Sequence, residues 1–139
     1  MIIRSNLIWL LAVLIAFACG CGSAVDCVPA SGKVTLNGDP LEGVQVTTEP
    51  VEIQGSRTDY SGSRGVTDAS GNFGLSLLTD DREGAIPGKH AIYISFGDDP
   101  SLVDPDKPKI PMSYWDGSLR VQIPDEGTDS LNFDIETGK

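Results

Sequence analysis

Over most of the chain, apolar and polar positions alternate with a period of two. Leu119, Val121 and Ile123 alternate with Ser118, Arg120 and Gln122, and Leu131, Phe133 and Ile135 with Asn132, Asp134 and Glu136. The same rhythm runs through Phe73, Leu75 and Leu77, through Val44 and Val46, and through Val34 and Leu36. Successive side chains of a strand point to opposite faces, so each run predicts one buried and one solvated face. His90, Ile92, Ile94 and Phe96 share one face of a further strand, with Ala91, Tyr93 and Ser95 on the other. Apolar residues on both of its sides predict an internal position. From Val28 onward, stretches free of Gly and Pro do not exceed about ten residues and show no 3.6-residue period, which argues against helix.

Turn chemistry separates the runs. Asn37-Gly38 precedes Asp39-Pro40, and Asn-Gly is the favoured tight-turn pair because both residues tolerate positive φ. Asp68-Ala69-Ser70-Gly71, Pro87-Gly88 and Asp125-Glu126-Gly127 mark three further turns. About seven short strands at this spacing predict an all-β protein, a single antiparallel β-sandwich spanning residues 30–136. Two segments break the rhythm. Glu49 to Gly65 is polar, with Tyr60 inside it, and reads as a loop. Gly97 to Trp115 holds Pro100, Pro105, Pro108 and Pro111, which cannot donate to a sheet ladder, and reads as a long surface loop ending in Tyr114-Trp115.

The first residues follow another logic. Met1 to Asn6 carries Arg4, Leu7 to Phe17 is uninterrupted apolar sequence, and small residues follow. That order describes a secretory signal peptide over residues 1–20. As a helix the apolar run spans about 18 Å, short of the roughly 30 Å of a bilayer core. Its end resembles the lipobox of bacterial lipoproteins, in which small residues precede a cysteine that is diacylated and becomes the new N-terminus. Cys21, after Ala18-Cys19-Gly20, is the favoured lipidation site and Cys19 the alternative; neither has the usual Leu three positions before it. Residues 21–29 then form a tether. The expected address is the extracytoplasmic side of a membrane, in the periplasm or on the outer surface, held there by lipid. If Cys21 is acylated, Cys27 alone remains as a thiol; if Cys19 is acylated, Cys21 and Cys27 are able to pair. The sandwich itself contains no cysteine, which excludes a thiolate metal site or a disulfide framework there.

With the strands placed, a family resemblance emerges. Ser31-Gly32-Lys33-Val34-Thr35-Leu36-Asn37-Gly38-Asp39-Pro40-Leu41-Glu42-Gly43-Val44-Gln45-Val46 resembles the opening of the carboxypeptidase regulatory-like domain. Val66-Thr67-Asp68-Ala69-Ser70-Gly71-Asn72-Phe73 is similar to that family's T-D-x-x-G-x-F turn, and Ile86-Pro87-Gly88-Lys89-His90 to its P-G-x-Y/H-x-V element. The resemblance covers about Ala30 to Ile135 and implies a transthyretin-like, Ig-like sandwich. Many bacterial lipoproteins carry such a domain alone on a tether.

Charge and candidate chemistry narrow the function. Twenty acidic side chains face ten basic ones, and loss of the leader removes only Arg4, taking the net charge from −10 to −11. Such a surface repels phosphate backbones, so nucleic acid is excluded as a partner. The one histidine, His90, opens a strand and reads as a partly exposed strand residue, with no nucleophile paired to it. Transthyretin-like enzymes acting on a purine-derived substrate use several histidines and a Tyr-Arg-Gly-Ser element that this sequence does not contain. Asp98, Asp99, Asp104 and Asp106 crowd one loop without the spacing of a calcium loop, and Asp80, Asp81 and Glu83 form a weaker cluster. Lys33 and Asn132 sit on the first and last strands, as in cross-linked adhesin sandwiches, but alternation turns both toward water. No metal or cofactor is therefore expected, and no catalytic residue. Tyr60, Tyr114 and Trp115 fall in loops and are the candidate ligand-binding residues, since flat rings stack on sugars or fill partner pockets. The competing reading has Trp115 capping the core. The expectation is a non-enzymatic, lipid-anchored module that engages an envelope protein or a polysaccharide.

Overall fold

A computed structural model describes residues 26–52, 61–99 and 104–138. The segment expected to be a signal-peptide helix, with Cys19 and Cys21, and Tyr60 lie outside the described residues. The described chain is an all-β sandwich of two sheets. Its strands are β1 (Ala30–Leu36), β2 (Asp39–Pro40), β3 (Gln45–Pro50), β4 (Ser63–Val66), β5 (Asn72–Gly74), β6 (Ser76–Leu77), β7 (Gly88–Ser95), β8 (Leu119–Ile123) and β9 (Thr128–Ile135). One short 3-10 turn, Met112–Tyr114, interrupts the connection between β7 and β8.

The smaller sheet is organised around β1. β9 runs along one edge of β1, and β5 and then β2 pair with it in antiparallel register. β1 and β2 are joined by the expected tight turn: Leu36 pairs with Asp39, and Asn37 and Gly38 take φ of 51° and 89°. Asn37 is fixed further by its side chain, which donates to Thr137 Oγ1 (2.8 Å) and accepts from Thr137 N (3.1 Å). The larger sheet has the order β6-β4-β3-β7-β8, all antiparallel, with β7 internal as its two-sided apolar pattern required.

The two inner faces supply the core. Val34, Phe73, Leu131, Phe133 and Ile135 of the smaller sheet meet Val44, Val46, Ile92, Ile94 and Ile123 of the larger. Every one of these belongs to a run read from alternation. The Phe73 and Phe133 rings lie 6.3 Å apart at 21°, offset-stacked within the core.

Three features depart from the sequence reading. The sandwich is not wholly antiparallel: β9 lies parallel to β1, with Val34 beside Phe133 and Leu36 beside Ile135. The turn closed by Gly127 N–H donating to Pro124 O (3.0 Å) carries the chain from β8 in one sheet to β9 in the other, so it imposes no hairpin geometry. Second, β4 begins inside the segment read as a loop, with Ser63, Arg64 and Gly65. Ser63 and Gly65 point inward while Arg64 and Val66 point outward, so the alternation is real but carries no hydrophobic signature. Third, His90 is wholly buried rather than partly exposed, on the inner face with Ile92 and Ile94. Its Nε2 sits 2.7 Å from the Ile86 carbonyl oxygen.

The strand directions give the sandwich two distinct ends. Val28 exchanges backbone hydrogen bonds with Ala85 (3.0 and 2.9 Å), and Thr128 N–H donates to Pro29 O (2.9 Å). The segment read as tether is thus fastened to the domain from Val28 onward. At that end lie Gly88 of β7 and Ile123 of β8, which pair with each other. At the opposite end lie the Asn37-Gly38 turn, the Asp68–Gly71 turn and the residues that directly follow β7, from Phe96 to Asp98.

Candidate functional site

At the end remote from the N-terminal attachment, the outer face of the larger sheet is hollowed into a groove of about 300 Å³. Strand alternation builds its floor. Because Val46 and Thr48 point inward on β3, Gln45, Thr47 and Glu49 point outward. Because Ile92 and Ile94 point inward on β7, Tyr93 and Ser95 point outward. The register then sets Thr47 between Tyr93 on one side and Arg64 on the other, with Gln45 beside Ser95. Asp98, just past the end of β7, and Trp115, just past the 3-10 turn, complete the lining.

The polar groups of the groove are tied to one another. The Arg64 guanidinium lies 3.3 Å from Asp98 Oδ1, and the Gln45 amide donates to the same oxygen at 3.3 Å. Burial, together with the neighbouring Glu49 carboxylate, pushes the Tyr93 phenol above its ordinary pKa, so its hydroxyl keeps its proton through the physiological range.

The rings are held as firmly. Trp115 Nε1–H donates to Ile110 O (3.2 Å), and Ile110 is itself anchored in the core. Tyr93 is clamped by Gly117, whose φ of +78° and lack of a side chain let the loop run against the ring. A Cβ there would lie 2.7 Å from Tyr93 Oη.

Tyr114 and Trp115 do not form one platform. The Tyr114 hydroxyl donates to Asp134 O (3.1 Å) at the end of β9, whereas Trp115 lines the groove over the larger sheet. Both are half-buried against the core. Tyr93 enters the site without having been singled out from the sequence. Its place opposite Ile92 and Ile94 marked it as outward-facing, but which neighbours would surround it depended on the strand order.

The other candidates are placed as follows. Lys33 and Asn132 are partners in the β1–β9 register, and Asn132 is exposed. Asp104 Oδ1 accepts from Asp106 N–H (3.0 Å), a local turn contact within the acidic loop. Among the described residues no three Asp, Glu, His or Cys side chains converge in a metal-binding arrangement, and no helix is long and apolar enough to cross a membrane. His90 Nδ1 faces the core without a hydrogen-bond partner. No protein-family description, curated protein or solved structure matches this chain.

Proposed function

We propose that this chain is an exported, lipid-tethered, non-catalytic binding module acting on the extracytoplasmic side of a membrane. The observation that carries the reading is the polarity of the sandwich. The N-terminal segment is fastened at one end by Val28 and Pro29, while the groove extends toward the other, where β7 hands over to the segment carrying Asp98. With Cys21 acylated, only residues 22–27 separate lipid from domain, a reach of at most about 20 Å. The attached end then faces the bilayer and the opposite end faces outward.

Two further observations support it. The only histidine of the sequence is sealed in the core, with its Nε2 against Ile86 O and no surface open to solvent. The turn chemistry behind the resemblance to carboxypeptidase regulatory-like domains serves here to close strands: Asp68 Oδ1 accepts from Ser70 N–H (2.9 Å) and Asn72 N–H (3.0 Å). Those contacts fold the scaffold and leave recognition to its outer surface.

The test is metabolic labelling with a fatty acid followed by cell fractionation. The wild-type chain should be labelled and recovered with membranes, and Cys21→Ala should lose both properties. Loss on Cys19→Ala instead would move the acylation site. An unlabelled chain recovered in the soluble fraction would sink the tether.

A further inference from the structure

The groove over the larger sheet has the chemistry of a carbohydrate site. Resting on the reading of the domain as a non-catalytic binding module, we propose that it binds a neutral pyranose-containing glycan.

A pyranose ring offers an apolar face of C–H groups and a rim of hydroxyls, each of which both donates and accepts. A matching site needs a fixed aromatic surface flanked by donors and acceptors in close alternation. Tyr93 and Trp115 supply the aromatic surface, held by Gly117 and by the Ile110 carbonyl. Arg64 and Gln45 supply donors, and Asp98 and Glu49 supply acceptors. The Arg64–Asp98–Gln45 contacts orient these groups in advance, which lowers the ordering cost of binding. A volume of about 300 Å³ is at the small end for ligand pockets, the scale of one or two sugar rings of a longer chain.

Charge selects among glycans. Two carboxylates against one guanidinium in the groove, on a chain of net charge −10, disfavour uronic-acid or phosphate polymers. A neutral sugar meets no such repulsion. The groove's position away from the attached end suits a polymer approaching from outside the membrane.

The experiment is isothermal titration of the full mature chain, held in an amine-oxide detergent that carries no sugar. The probes are gluco-, manno-, galacto- and N-acetylglucosamine hexasaccharides, with oligogalacturonate as the charged comparison. At least one neutral probe should bind. Tyr93→Ala and Arg64→Ala should each weaken it about tenfold, since each removes one principal contact. Tyr93 packs against the loop, so its variant is first checked for folding; Arg64 is solvent-accessible, and its variant carries the test alone if the other fails to fold. Binding of none of the neutral probes, preference for oligogalacturonate, or unchanged affinity in the folded variants would each overturn the proposal. Fatty-acid labelling is read independently, so failure here leaves the tether standing, and failure of the tether leaves the groove.

Discussion

Thr48 and Thr67 are both buried threonines, yet the same replacement should move stability in opposite directions. Thr48 lies on the inner face of β3 in line with Val44 and Val46, has no exposed surface, and its hydroxyl has no hydrogen-bond partner. Ser63, its register partner on β4, is likewise buried with an unpartnered hydroxyl. A buried hydroxyl left without a partner costs about 1–3 kcal/mol, and the methyl that replaces it in valine gains somewhat under ~1 kcal/mol of apolar burial. Thr48→Val should therefore stabilise the domain by about 1–2 kcal/mol, allowing for some strain from the larger group. Thr67 is 4% exposed, but its Oγ1 accepts the Val44 backbone N–H at 3.0 Å. Thr67→Val orphans that N–H inside the sandwich and should cost about 1–3 kcal/mol. The pair is read by urea denaturation with the slope held common to both variants. Thermal midpoints should separate in the same sense, by about 4 °C per kcal/mol for a domain of this size. A Thr48→Val variant no more stable than wild type would show that the hydroxyl is satisfied and the reasoning wrong.

Acid should weaken the fold before the carboxylates titrate. Burial lowers the His90 pKa below its ordinary 6.5, with the Ile86 carbonyl opposing only in part. The unfolded chain therefore takes up a proton that the folded chain refuses, and stability falls as pH drops below about 6.5, by at most ~1.4 kcal/mol per pH unit. Asp80, Asp116 and Asp134 have pKa values lowered below 3.8, so stability from them is lost only at more acid pH. Urea midpoints that stay flat from pH 7.5 to 5 would contradict the buried neutral imidazole. Gly117→Ala forces a side chain into positive φ and against the Tyr93 ring, and should cost about 1–3 kcal/mol in the same assay. An unchanged midpoint would mean that the loop is not seated on Tyr93.

Which faces are buried and where the chain turns are legible in the order of the residues alone. Alternation at Val34, Val44, Val46, Phe73, Ile92, Ile94, Phe133 and Ile135 names much of the core, because a strand's period of two is a local property written in consecutive residues. Asn37-Gly38 and Asp68–Gly71 were legible for the same reason, since turn preferences act over four or five residues. Strand direction and partnership are not local. Nothing in residues 128–135 distinguishes a parallel neighbour from an antiparallel one, so β9 against β1 is settled by how the chain crosses between sheets. The start of β4 leaves no trace in the pattern because its inward residues are Ser63 and Gly65, which hydrophobicity does not register; its partner β3 holds it in place. Alternation gives the face of His90 but not its exposure, because burial depends on what covers that face. The groove belongs wholly to the tertiary structure: Arg64, the Tyr93–Asp98 stretch and Trp115 are far apart in sequence and meet only because β4, β3 and β7 lie side by side, with Trp115 at their margin.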